Sequence, residues 1–179
     1  MKGPRMVRCM VTLISLLGAL CSAPSMAGVL QVGDRAPHFE LPGTDGETHT
    51  LTAADRSWVV VAWFPKAYTS GCTIECKSLA ENGHLLSQYN VRYYMASVDA
   101  LADNKGFAAE QKADFPLLSD TSKRVAEQFG VLSAGGYAQR HTFYMDGEGT
   151  IVAIDRDVRP STSAEDMAAT LAKLDAPLR

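Results

Sequence analysis

Residues 65–76 read P-K-A-Y-T-S-G-C-T-I-E-C and gather the side chains of this chain best suited to covalent chemistry. An apolar run, Trp58 to Phe64, leads into the segment, and an amphipathic stretch follows it. That layout places Cys72 in the first turn of a helix directly after a buried strand. A thiol there feels the positive end of the helix dipole and unpaired backbone N–H groups, both of which favour thiolate. Cys76, a second thiol, follows four residues later. The chemistry on offer is nucleophilic sulfur chemistry.

Thr69 lies three residues before Cys72, close enough in sequence to set its hydroxyl beside the sulfur and hydrogen-bond both a thiolate and a bound peroxide. Pro65 removes a backbone donor and stiffens the loop that shields the thiolate. Cleavage of an O–O bond needs these features: a thiolate to attack one oxygen, and stabilisation for charge on the other. Each residue also has an ordinary explanation: Cys72 as a small buried hydrophobe, Pro65 as a strand stop, Thr69 as a helix cap. The three together at this spacing favour the sulfur site. Arg140 is the candidate cation to hold a peroxide oxygen and acidify the thiol, although its spacing alone fits a solvated strand arginine equally well.

The elements that must position these residues follow from pattern. Short strands are expected near His38–Leu41 and Glu47–Thr50 around the turn Gly43-Thr44-Asp45-Gly46. Trp58–Phe64 and Val91–Val98 read as strands buried on both faces. Helices are expected over Cys72–Tyr89 (with Ile74, Leu79, Leu85 and Leu86 inward), Ala102–Lys112, and Ser122–Phe129 stopped by Gly130. Phe115–Leu118 is a short extended piece, and Gln139–Met145 with Thr150–Arg156 forms a β-hairpin that contains Arg140. Thr162 and Glu165 make a capping box for a last helix through Leu174. The order β-β-β-α-β-α-(β)-α-β-β-α implies an α/β domain, a central mixed sheet with helices on both faces. A strand leading into a cysteine-bearing helix, with a late hairpin, indicates a thioredoxin-like fold.

The N-terminus is expected to lie outside that fold. Lys2, Arg5 and Arg8 precede a 13-residue apolar core, Cys9 to Cys21, and Ser25-Met26-Ala27 fits a small-residue cleavage site. Residues 1–27 therefore read as a secretory signal, leaving 28–179 as a single exported domain, periplasmic by expectation. The core is shorter than the roughly 20 residues of a membrane span. A lipid attachment at Cys21 would follow Leu20, where such sites want a small residue. Loss of the leader removes three basic residues and moves the formal charge from −3 to about −6, with no basic stripe, a poor balance for nucleic-acid binding. Cys9 and Cys21 leave too, so the mature domain keeps Cys72 and Cys76. A bridge so local closes almost no loop and would stabilise little, which points the pair to redox work.

The segments P-K-A-Y-T-S-G-C-T-I-E-C, F-P-L-L-S-D and R-H-T-F-Y-M-D-G-E-G resemble peroxiredoxins of the alkyl-hydroperoxide-reductase/thiol-specific-antioxidant superfamily, nearest the bacterioferritin-comigratory, or Q-type, branch. The resemblance runs from about Val32 to Leu174. Its P-x-x-x-T-x-x-C motif is complete in Pro65, Thr69 and Cys72, its arginine falls on Arg140, and its glutamate three after the cysteine on Glu75. It implies a peroxidatic Cys72, with Thr69, Arg140 and Pro65 catalytic and Glu75 in support, reducing hydrogen peroxide and organic hydroperoxides without a cofactor or metal. Recycling falls to a thioredoxin-like protein or a small thiol, and the molecule to a monomer or weak homodimer. One departure stands out: the branch usually places its resolving cysteine five residues on, whereas Cys76 is four on. Helical Cβ atoms at that spacing are ~5–6 Å apart, against about 3.5–4.5 Å for a disulfide, so a Cys72–Cys76 bond requires the first turn to unwind.

Two other readings fit parts of the pattern. An exported copper chaperone of the same fold could bind through Cys72, Cys76 and His141. It lacks that family's proline after Cys72 and sets Arg140 beside the metal. A protein disulfide oxidoreductase would carry C-x-x-C and a facing cis-proline loop, whereas this chain has neither the two-residue spacing nor an obvious proline before the late strand. His38, His49 and His84 are assigned no function, and Trp58 and Trp63 belong to the core. Phe39, Phe64 and Tyr68 are expected as an apolar collar near the thiol.

Overall fold

In the computed structural model, residues 29–51 and 56–179 are described. The proposed leader therefore lies outside the described residues. Strands β1 (Phe39–Pro42) and β2 (Thr48–Leu51) form a separate antiparallel hairpin. The main sheet has five strands in the order β5-β4-β3-β6-β7. They are β3 (Trp58–Trp63), β4 (Val91–Ser97), β5 (Leu117–Ser119), β6 (His141–Met145) and β7 (Ile151–Asp155). Helices α1 (Ser70–Asn82), α2 (Leu101–Gln111), α3 (Arg124–Gln128) and α4 (Ser163–Lys173) complete the expected order. The sheet is mixed: β3-β4 and β4-β5 are parallel, β3-β6 and β6-β7 antiparallel.

Strand β3 is central, which is why its sequence, WVVVAW, is apolar throughout. Val60 and Ala62 face one core with Cys72, Cys76 and Leu79 of α1, Phe107 of α2, and Met167 and Leu171 of α4. Val59, Val61 and Trp63 face the other, with Phe39 and Leu41 of β1 and Val125, Ala126 and Phe129 of α3 and its end. Helices thus cover both faces.

Several local expectations are corrected. Helix α1 stops at Asn82 and passes into a 3-10 turn, Gly83–Leu85, rather than running to Tyr89. Its buried face is Cys72, Glu75, Cys76, Ser78 and Leu79, while Ile74 is 46% exposed. Two thiols and a carboxylate sit where hydrophobic periodicity looks for aliphatic side chains. Helix α3 begins only at Arg124, because Lys123 adopts a left-handed conformation (φ 63°). Buried Asp120 governs that start, accepting hydrogen bonds from Ala126 N and Ser122 Oγ, both 2.8 Å. Thr162 precedes α4 without capping it. Its hydroxyl instead donates to Asp166 Oδ2 (2.7 Å), and Glu165 accepts from Asn82 Nδ2 (3.1 Å). Ser78 of α1 takes over, accepting from the Ala164 amide at 3.3 Å.

Asn104 of α2 is fully buried and ties this helix to the sheet edge. Its Nδ2 donates to Ser119 Oγ (2.8 Å), Ser97 Oγ (3.1 Å) and the Leu118 carbonyl (3.4 Å). Asn104→Ala strands these buried acceptors. We expect a loss of about 2–3 kcal/mol, read as a lower urea midpoint with unchanged slope.

Candidate active site

The chain leaves β3 through Phe64, whose amide still bonds to the Ala96 carbonyl of β4 (2.9 Å), and then turns over residues 65–69. Asp99, just past the end of β4, fixes this loop by accepting from the Ala67 amide at 2.8 Å. Tyr68 takes a left-handed conformation (φ 65°) and is held from α2. Its hydroxyl donates to the Asp103 carbonyl (3.2 Å), and its ring meets Phe107 edge-on at 5.4 Å. Gly106 makes room, since a Cβ there would lie 2.5 Å from the Tyr68 hydroxyl. Sequence reading missed Asp99. Its place at the carboxyl end of a parallel strand, where α/β sheets build their sites, was the available signal. No sequence signal marked the Tyr68 conformation.

Thr69 precedes α1 in an extended conformation (φ −81°, ψ 150°), and the first helical bond runs from Thr73 N to Thr69 O at 2.9 Å. The amides of Ser70, Gly71 and Cys72 come before that ladder, at the positive end of the helix. The Thr69 hydroxyl does not cap the helix. It donates to the Lys66 carbonyl at 2.8 Å. Pro65 is half-buried in the same loop. Lys66 reaches across to the Tyr137 ring, 5.6 Å from its centroid, and joins the loop to the segment leading into Arg140.

Arg140 arrives by strand register. Because β3 and β6 are antiparallel with Trp63 opposite His141, the residue just before β6 falls beside the C-terminal end of β3, where α1 starts. Arg140 lies immediately outside the strand rather than within it. Alternation gives it the face of Thr142 and Tyr144, the α1 side. Its Nη2 donates to Cys72 Sγ at 3.2 Å, and its Nη1 pairs with Glu75 Oε2. The approach is close: a Cβ on Gly71 would stand 3.1 Å from Nη2.

Cys72 is 1% exposed, and Glu75 and Cys76 are fully buried. Burial dominates at Glu75 and lifts its pKa from its usual 4.5 to about 7 against the pull of Arg140. Burial works against the charge of Arg140 too, but Glu75 and Cys72 outweigh it and raise its pKa. Burial pushes the Cys76 thiol up to about 12, with further increments from Glu75 and Cys72. Both thiols are free.

The copper arrangement does not assemble. His141 stands beside Phe143 (6.4 Å between rings), which packs in the core on the opposite face of the sheet from Cys72 and Cys76. The collar is also partly corrected. Phe64 and Tyr68 do meet Phe107, at 6.0 and 5.4 Å, on the thiol side. Phe39 lies across the sheet against Phe129 (6.4 Å).

Comparison with known proteins agrees with this architecture. Residues 32–154 match the AhpC/TSA family. Peroxiredoxin Bcp of Escherichia coli K12 is 34% identical over 139 residues, 74% of this chain and 89% of that protein. Among solved structures, Mycobacterium tuberculosis peroxidoxin BcpB superposes with a TM-score of 0.72 at 28% identity, covering 81% of this chain and 98% of that one. A Xanthomonas campestris bacterioferritin comigratory protein, studied for its alkyl peroxide reduction activity, gives 0.70 at 26% identity over 76% and 91%. The chain belongs to the AhpC/TSA family. Within it the fold and sequence fall in the bacterioferritin-comigratory, or Q-type, branch of peroxiredoxins, peroxidases that act on hydroperoxides.

The buried carboxylate sets a pH dependence. The folded state holds the Glu75 proton up to about pH 7, whereas an unfolded glutamate releases it near 4.5. Stability contributed by this difference is complete below 4.5 and is lost as pH rises through about 7. At about 1.4 kcal/mol per pH unit the loss is on the order of 3 kcal/mol. Urea unfolding at pH 5 and pH 7.5 should show this slope, and Glu75→Gln should flatten it.

Proposed function

We propose that this protein reduces hydrogen peroxide and organic hydroperoxides at Cys72, through a sulfenic acid that Cys76 converts to a disulfide and a thioredoxin-like dithiol then reduces. The supporting observation is the Arg140 guanidinium, 3.2 Å from the sulfur at the start of α1. Positive charge and helix amides there can receive a peroxide oxygen. The relatives support the organic substrates, one of them having been studied for alkyl peroxide reduction.

In the first step Cys72 thiolate attacks one peroxide oxygen. An S–O bond forms, the O–O bond breaks, and the leaving oxygen takes a proton to depart as water or alcohol. Arg140 stabilises charge on that oxygen. Thr69, its proton already given to the Lys66 carbonyl, offers lone pairs to the peroxide hydrogen. Pro65 and the loop pinned by Asp99 and Tyr68 limit water around the sulfur. In the second step Cys76 loses its proton and attacks the Cys72 sulfur, and hydroxide leaves as water. The external dithiol then takes up the disulfide by exchange.

We further propose that residues 1–27 are removed on export and that 28–179 work in the periplasm as a monomer or weak homodimer. N-terminal sequencing of the exported protein should begin at Gly28, and an intact Met1 in that fraction would contradict removal. For the chemistry, Cys72→Ser should abolish peroxide consumption with a dithiol reductant while leaving the far-ultraviolet circular dichroism unchanged. Retained turnover would refute the role of Cys72. Cys76→Ser should leave a sulfenic acid trappable by dimedone, with no intramolecular disulfide by mass spectrometry after one equivalent of peroxide. Unchanged product and turnover would exclude Cys76 as the resolving thiol.

A further inference from the structure

Cys72, Glu75 and Cys76 lie on one buried face of α1, at relative positions 0, 3 and 4. A single guanidinium grips two of them: Arg140 holds the Cys72 sulfur with one nitrogen and the Glu75 carboxylate with the other. The pair thus ties together both ends of the helical turn from Cys72 to Glu75. A Cys72–Cys76 disulfide cannot form on that turn as it stands. Its Cβ atoms must approach to about 3.5–4.5 Å, from the ~5–6 Å of helical neighbours. Glu75 is inside the segment that must uncoil, next to Cys76, so its carboxylate leaves Arg140 when the bond forms. The second oxygen of Glu75, Oε1, is buried without a hydrogen-bond partner, so Arg140 is what holds the carboxylate in place. While the turn is closed, burial of the Cys76 thiol and, after it, the same carboxylate also suppress the ionisation of that thiol.

We propose that the Arg140–Glu75 pair staples the turn of α1 from Cys72 to Glu75, making Glu75 a positioning residue that promotes peroxide attack and restrains the disulfide step after it. The proposal rests on the peroxidase reading with Cys76 as second thiol. It predicts opposite effects of one substitution on two successive steps. Peroxide attack, with S–O formed and O–O broken, needs the guanidinium held beside Cys72. Disulfide formation, with S–S formed and S–O broken as water leaves, needs it released. The spacing of four residues makes the coupling direct, since the helical turn to be opened is the one the staple spans.

The test is a rapid-quench experiment on the full-length protein. Reduced enzyme is mixed with one equivalent of hydrogen peroxide, then trapped with dimedone and a thiol-alkylating reagent, and the sulfenic and disulfide forms are timed by mass spectrometry. Glu75→Gln should form the sulfenic acid about tenfold more slowly and the disulfide about tenfold faster, the scale of one charge-assisted hydrogen bond. Arg140→Lys keeps a cation but loses the fork, so it should shift both steps in the same directions, and it carries the test if Glu75→Gln fails to fold. A pH series separates the staple from simple loosening of the helix. Glu75 is faced by Arg140, by Cys72 and Cys76 of its own helix, and by Asp155 of β7. The disulfide step should change slope near pH 7 in the wild type and lose that break in Glu75→Gln. Leu79→Ala, which loosens the same helix with the staple intact, should keep it. Disulfide formation that is unchanged or slower in both staple variants, or a pH break that survives Glu75→Gln, overturns the proposal. Failure of the wild type to form any sulfenic acid would instead sink the peroxidase reading, and this proposal with it.

Discussion

A guanidinium forked between a thiol and a carboxylate, half-buried where a helix leaves a sheet, organises the functional end of this molecule. Arg140 could not stay there alone, since burial works against its charge. Glu75 could not be charged there alone either, and even with its partner its pKa sits near 7. Each makes the other tolerable, and the sulfur of Cys72 receives the remaining donor of the fork. Such pairs add little to stability compared with apolar packing. Their value here is geometric: they hold a cation at a fixed place beside the Cys72 sulfur.

The rest of the fold serves that geometry. Strand β3 is buried on both faces, so its C-terminal end is a rigid point from which α1 departs. Antiparallel pairing with β6 returns the chain to the same point and delivers Arg140. The loop between β3 and α1 is held from β4 by Asp99 and from α2 by the Tyr68 contact, so its left-handed turn is supported from two sides. The thiol and the cation are thus brought together by separate elements that share one end of the sheet.

Much of this was legible in the chain itself. The element order follows from period and punctuation: a valine-rich run ended by proline, a Gly-rich turn between alternating segments, a helix stopped near Gly130. The errors fell where side chains from elsewhere intervened. Helix α3 starts later than its sequence pattern implies because buried Asp120 orders the residues before it. The capping box at Thr162 failed because Asn82 and Ser78 of α1 bond to the residues it needed. The buried face of α1 departs from its apolar periodicity, with Ile74 outside while two thiols and a carboxylate are inside. Hydrophobic periodicity has no means of choosing such a face.

By itself the sequence determined that a cysteine begins a helix after a buried strand, with Pro65 and Thr69 in the intervening loop, because these relations are local and follow from chain order. Tertiary structure alone decided which cation meets that sulfur. Arg140 is 68 residues away, and whether it faces α1 or the opposite core depends on strand register, where a slip of one residue reverses every side chain. The same register sends the neighbouring His141 to the other face, and the same packing buries Glu75 and turns the Thr69 hydroxyl toward Lys66. Direction and burial are properties of paired strands and packed faces, and no single segment carries them.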